Sequence, residues 1–253
     1  MNRLDHQVAK QFNMSRQKAQ DAINATRVSV NGVVITKASF LLKEDDVITL
    51  EPIQVDFVSR SGFKLHHLLV DYKIDVKGKS ALDIGASTGG FTDCLLHHKA
   101  ANVVAVDVGH QQLHDSLRNH PAVIVMEDTD IRSIKPDDFA TLFDIIVIDV
   151  SFISIEHIID HALSLLKNGG ECIILIKPQF EVGRFHHSKQ GVVYNQKIIQ
   201  TRLQEIQEIF AGKGLRIISC IPAALTGRAG NQEYFFYMSY NAMEESYASS
   251  NNR

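Results

Sequence analysis

Lys64, Asp149, Lys177 and Glu233 are the side chains whose types and placement point most directly to chemistry. Each lies where a predicted strand or helix end opens onto one cleft of an α/β sheet. Two amines and two carboxylates that converge suit removal of a proton from a very weak acid, such as a ribose hydroxyl, because together they orient the hydroxyl and take up its proton. Asp149 ends the apolar strand FDIIVID, and Lys177 ends ECIILIK just before Pro178. Charged residues seldom end buried strands unless paired or functional. Glu233 follows Gly230-Asn231-Gln232 at the mouth of a last strand, and Lys64, beside Arg60, opens a helix with apolar positions Phe63, Leu65, Leu68, Leu69 and Tyr72. Taken singly, Lys64 and Glu233 read as surface residues and Asp149 as a helix cap.

The elements that must position them begin with the strand SALDIG, which runs into the turn Gly85, Ala86, Ser87, Thr88, Gly89, Gly90, Phe91 and a helix. A glycine-rich turn between strand and helix lets a ligand come close to the backbone, with the helix amides facing it. The spacing is not the GxGxxG fingerprint that serves a pyrophosphate; a sulfonium ligand such as S-adenosylmethionine has no phosphates and suits a looser turn. The strand NVVAVDVG ends at Asp107, 22 residues past Gly85 and next to Val108, where an acid is placed to accept ribose hydroxyls. A third strand, AVIVM, leads to Glu127-Asp128-Thr129-Asp130, where a polar side chain and the backbone of Ile131 would hold an adenine edge. Asp149 borders the same cleft. The stretch FEVGRFHHSKQGVVYN reads as a lid; a helix over 195–211, a strand over 215–221 and an antiparallel strand over 233–240 complete the sheet.

With 253 residues, 45% of them hydrophobic, the chain can bury a full core. No apolar run approaches the ~20 residues of a membrane helix, and the start MNRLDHQVAK lacks the apolar stretch of a signal peptide, so a cytoplasmic protein with no membrane partner is expected. Cys94, Cys172 and Cys220 show neither disulfide nor zinc spacing and are expected as core or subsurface thiols. The paired histidines 66–67, 97–98 and 186–187 lack ligand spacing as well and are expected at the surface, with no metal site.

Net charge is −3 overall, but residues 1–43 hold seven Lys/Arg against two Asp, a net +5. That stretch reads as a compact module: one helix on Leu4, Val8, Ala9 and Phe12, a second capped by Ser15, then a hairpin around Asn31-Gly32 and a further strand at Val47, Ile48 and Leu50. RLDHQVAK…MSRQKAQDAINATRVSVNGVVI resembles the small RNA-binding domain shared by a small-subunit ribosomal protein and many pseudouridine synthases. The resemblance implies phosphate contacts from Arg3, Arg16, Lys18, Arg27 and Lys37, with Arg60 beyond the module. Thr26 stands where that domain usually has Gly.

VSRSGFKL, LDIGASTGGFTDCLL, AVDVG, IDVSFIS, KPQFEVG, GVV and TGRAGNQE, in this order, resemble the TlyA family, known both as hemolysins and as ribosomal RNA 2′-O-methyltransferases. The resemblance covers nearly the whole chain. It implies an α/β fold, a Rossmann-like class I methyltransferase sheet with a small N-terminal α+β RNA-binding domain, divided as 1–56 RNA-binding, 57–64 linker, 65–241 methyltransferase and 242–253 polar tail. It implies S-adenosylmethionine as cofactor and ribosomal RNA or ribosomal subunits as partner. The Lys-Asp-Lys-Glu tetrad of the wider heat-shock-type methyltransferases falls on Lys64, Asp149, Lys177 and Glu233, with Lys177 as base or oxyanion stabiliser. Ser61-Gly62 stands where the family has two glycines, and Asp130 where it has Asn, which exchanges an amide for an acceptor-only carboxylate. Two other classes compete. A cytolysin would need an insertion segment, and a non-catalytic ribosome-assembly factor would bind the cofactor without transferring its methyl group.

Overall fold

The computed structural model of the chain describes residues 2–24, 27–50, 56–183, 186–188, 191–227 and 229–242. Thr26, Pro52, Arg228 and the tail 243–253 lie outside the described residues, as do 184–185 and 189–190 of the expected lid. The chain divides into two compact units, Met1–Asp56 and Phe57–Arg253.

In the first unit, β1 (Asn2–Arg3), α1 (Leu4–Gln11) and α2 (Arg16–Asn24) precede β2 (Val28–Val30), β3 (Val33–Val34), β4 (Leu41–Leu42) and β5 (Ile48–Leu50). Ser15 Oγ accepts the Lys18 N–H at 3.2 Å, the expected cap of α2. Asn31 (φ 51°) and Gly32 (φ 79°) both take the left-handed backbone that a two-residue hairpin demands, and β2 pairs with β3 across them. Leu4, Val8, Ala19, Ile23 and Val28 close a core with no exposed surface.

The second unit starts with α3 (Arg60–Asp71) and continues through β6 (Ser80–Ile84), α4 (Gly90–His97), β7 (Asn102–Val106), α5 (Asp115–Arg118), β8 (Val123–Met126), β9 (Phe143–Ile148), α6 (Ile159–Ser164), β10 (Leu166–Ile176), α7 (Pro178–Glu181), α8 (Gln196–Gly212), β11 (Leu215–Pro222) and β12 (Tyr234–Tyr240). One seven-stranded sheet, in the order β11-β12-β10-β9-β6-β7-β8, joins them. Strands β6 to β10 run parallel, and β12 is antiparallel to both neighbours. Ile145 to Ile148 are fully buried, the continuous apolar run of a strand covered on both faces.

The segment 57–64, expected as a linker, belongs to this unit. Phe57 is buried and α3 begins at Arg60, three residues before the apolar periodicity reveals it. Gly62 is a packing requirement here, since a Cβ on it would lie 2.7 Å from Phe57 and 2.8 Å from the Gly90 carbonyl. Ser61, in the place of the family's other glycine, meets Ser59 Oγ at 2.8 Å.

Candidate active site

The sheet brings the four charged residues to one edge. Asp149 follows β9 and Lys177 follows β10, its parallel neighbour; Glu233 precedes β12, whose Tyr234 pairs with Ile176. Thus three adjacent strands deliver three of the four, and α3 delivers Lys64. They form two ion pairs. Lys64 Nζ donates to Glu233 Oε2, with 9% and 4% of the two side chains exposed. Lys177 Nζ stands 2.6 Å from Asp149 Oδ1 and donates a hydrogen bond to Ser151 Oγ at 2.9 Å. The Asp149 contact is ionic rather than an aligned hydrogen bond, so that carboxylate oxygen keeps lone pairs for another donor. The Asp149 backbone N–H donates to the Ile84 carbonyl at 3.0 Å, which pins this carboxylate beside the first turn.

A cleft of about 450 Å³ opens next to Asp149, bordered by Gly85, Ser87, Asp107, Val108, Asp130, Ile131, Ser151 and Phe152. Gly85 has φ 83°, and a Cβ there would lie 2.8 Å from the Asp149 carbonyl oxygen, so only glycine lets the turn pass so close. Asp107 accepts the N–H groups of Ser87 (2.8 Å) and Gly109 (2.7 Å), which locks the turn and leaves further lone pairs for ribose hydroxyls. Apolar Val108, Ile131 and Ile158 supply walls for a flat ring. This donor set, carboxylates without a phosphate cradle, fits a sulfonium nucleoside such as S-adenosylmethionine.

Several expected cofactor residues also make packing or pairing contacts within the protein. Ala86 packs with Leu113 and Leu117. Phe91 is buried against Phe235, with ring centroids 6.1 Å apart. Gly89 abuts Leu113 and Leu117, and Gly90 abuts Ser59, Ser61 and Gly62, so both glycines are also required for close packing. Thr88 is exposed and its carbonyl accepts the His114 N–H. Asp130 borders the cleft, but its carboxylate grips Arg132 (2.6 Å) and caps the following turn, and that pairing holds it down at about 2.

Sequence reasoning missed three features. Asp83, fully buried under the turn, has its carboxyl pushed up to about 7 by burial, with the charges of Asp149 and Asp107 adding to the shift against the Thr92 hydroxyl (2.7 Å). Phe152 is 89% exposed beside the Lys177 contact, at φ 67° and 4.8 Å from the Phe180 ring. This strained left-handed backbone holds the Phe152 ring at the border of the cleft; its sequence signal is the Phe after Asp149-Val150-Ser151. The described part of the expected lid is anchored, since Val182, Val192 and Val193 are buried and Asn231 bonds Val193 N (3.0 Å) and Gly191 O (3.1 Å).

In the first unit, the expected phosphate ligands Arg3 and Arg16 are engaged by a carboxylate. Asp5 is completely buried, and Arg3 and Arg16 both bond it at 3.0 Å, with Gln20 at 2.8 Å. Against the opposing effect of burial, these partners hold Asp5 far below the usual carboxylate range. Lys18 is two-thirds exposed with only a 3.9 Å contact to Asp56, Lys37 is exposed, and Arg27 is half-buried. Arg60, on the second unit, donates to the Thr226 carbonyl at 2.8 Å.

Residues 57–240 match the FtsJ-like methyltransferase family, and residues 3–48 match the S4 domain. The 23S rRNA (cytidine-2'-O)-methyltransferase TlyA of Campylobacter jejuni is 35% identical over 93% of this chain and 98% of its own. The chain belongs to the TlyA family. Hemolysin A of Brachyspira hyodysenteriae, also similar, is 41% identical over 92% of this chain and 97% of its own. A solved structure from Streptococcus thermophilus, described as a candidate hemolysin, superposes with a TM-score of 0.72 at 32% identity, covering 95% of this chain and 88% of that one. Membership of the TlyA family makes this chain a methyltransferase with an S4 domain. No described helix is long and apolar enough to cross a membrane.

Proposed function

We propose that the protein transfers the methyl group of S-adenosylmethionine to a ribose 2′-hydroxyl of ribosomal RNA. The observation that carries this reading is the pair of Lys-carboxylate contacts at one sheet edge, with Asp149 shared between that edge and the cofactor cleft. When bound, the cofactor supplies a methyl group on a sulfonium sulfur. Lys177 would face the acceptor oxygen, with Asp149 and Ser151 fixing its ammonium group, and the Asp149 carboxylate of that pair would take up the hydroxyl proton as the methyl group leaves sulfur for oxygen. The buried Lys64–Glu233 pair fixes the neighbouring wall and adds its field where charge develops. Gly85, Ser87, Asp107, Val108, Asp130 and Ile131 hold the nucleoside, and the open ring of Phe152 offers a stacking face for the target base. Lys18, Lys37 and Arg27 contact phosphates; Arg3 and Arg16 act first through Asp5.

The test is transfer of labelled methyl to ribosomal RNA or subunits, with nuclease digestion to locate the label. Label on ribose, abolished by Lys177→Ala with cofactor binding and folding retained, is expected. Label on a base, or near-parental turnover of Lys177→Ala, would sink the reading, and cofactor binding without any transfer would favour the assembly-factor alternative.

A further inference from the structure

The histidines expected as separate surface pairs are not all separate. His66 on α3 meets Cys94 and His98 on α4 and its C-cap, and one ligand atom from each lies within 4.8 Å of the others. Cys94 and His98 are four residues apart, hence on one face of α4. His66 Nδ1 and His98 Nε2 share a hydrogen bond at 2.9 Å, one ring donating its N–H to the other, so the two nitrogens face one another beside Cys94. Cys94 is fully buried, so its thiol forms the floor of the cluster, and the Phe57 ring walls it at 5.5 Å from the His66 ring. None of the three borders the cofactor cleft.

We propose that His66, Cys94 and His98 bind one divalent cation of the borderline-soft, Zn2+ type. Two imidazoles and a thiolate favour Zn2+ or Co2+ over Mg2+ or Ca2+, which prefer oxygen. Three protein donors leave a fourth position to water or an added ligand. On binding, the Cys94 thiol gives up one proton to solvent, and the proton held between the two rings leaves its nitrogen for the outer nitrogen of the same ring, by exchange with solvent, so that both imidazoles stay neutral and present a lone pair to the metal. The cation joins α3, which carries Lys64 two residues before His66, to α4, which follows the cofactor turn. It therefore acts as a clip between the two helices.

The metal-free full chain is titrated with Co2+ and then Zn2+. One equivalent of Co2+ should give a near-ultraviolet thiolate-to-cobalt band and the visible bands of a four-coordinate site, both displaced by Zn2+. Cys94→Ala should lose the thiolate band, and Cys220→Ala should keep it. Cys94 is a core residue, so His66→Gln and His98→Gln, at half-buried positions, provide the second arm. Each should fold by circular dichroism yet lose at least the roughly ten- to hundredfold in affinity that removal of a mere outer-shell partner costs. Absence of stoichiometric Co2+ binding, a thiolate band surviving Cys94→Ala, or parental affinity in both histidine variants would overturn the proposal.

Discussion

Glu233→Gln keeps the shape of the side chain but strips Lys64 of its counter-charge in a place nearly shut off from water, with 9% of the lysine side chain and 4% of the glutamate exposed. Breaking a buried pair from one side leaves an uncompensated charge and costs about 3–5 kcal/mol. Lys64→Met should cost a similar amount by stranding Glu233. Replacing both, Lys64→Met with Glu233→Leu, removes both desolvation penalties and should bring stability back to within about 1 kcal/mol of the parent, or above it. For a domain of this size each kcal/mol moves Tm by roughly 2–4 °C, so the single variants should melt roughly 6–20 °C lower and the double variant near the parent. Methyl transfer should be lost in all three, including the stable double variant. That dissociation separates a catalytic pair from a structural one. Urea unfolding with a labelled-methyl assay on the same preparations provides the measurement. Single variants that lose under about 1 kcal/mol, or a double variant as unstable as the sum of the two, would refute the burial argument.

Asp107→Ala removes both a ribose acceptor and the anchor of Ser87 and Gly109, and should weaken S-adenosylmethionine by about 1.5–3 kcal/mol, roughly ten- to a hundredfold by calorimetry; unchanged affinity would contradict the cleft assignment. Asp83 should make stability fall as pH rises from about 4 through 7, because the native state keeps a proton that the unfolded chain releases. A shift from 3.8 to about 7 corresponds to about 4 kcal/mol, so Asp83→Asn should gain on the parent in urea midpoint between acid and mildly alkaline buffer; a constant difference would count against it. Lys18→Ala should lower the salt slope of RNA binding by up to about one unit with the fold unchanged. Arg16→Ala, by contrast, should destabilise the first unit by roughly 1–3 kcal/mol through Asp5, and equal melting of the two variants would show that Arg16 is free for phosphate.

Strand ends were the most readable part of this chain. The apolar runs ending at Asp107, Asp149 and Lys177 need no tertiary information to be seen, since a strand covered on both faces is written as an uninterrupted run. The hairpin at Asn31-Gly32 is readable for a similar reason, because its backbone demand is local. Partnerships across the chain were not readable. That Glu233 would take Lys64 while Asp149 takes Lys177 depends on β12 lying beside β10 in the observed register, and that Arg3 and Arg16 would serve Asp5 depends on how α1 packs on α2. The start of α3 was hidden because Arg60, Ser61 and Gly62 carry no apolar period; their helix is defined by packing against Phe57 and Gly90. His66 and Cys94 sit on different helices, so no local spacing announces their meeting.

Gly62 and Gly90 bring the backbones of α3 and α4 close together, with Ser59, Ser61 and Phe57 packed around the contact. A displacement of the turn from Gly85 to Gly90 is therefore passed to the first turn of α3, and binding that orders one should help to order the other. Thermodynamic linkage makes such sharing symmetrical. Whatever factor the cofactor contributes to the affinity for an acceptor held against the wall that Lys64 and Glu233 form, the acceptor returns to the cofactor. Enlarging either glycine would uncouple the two binding events even if each site, tested alone, still held its ligand.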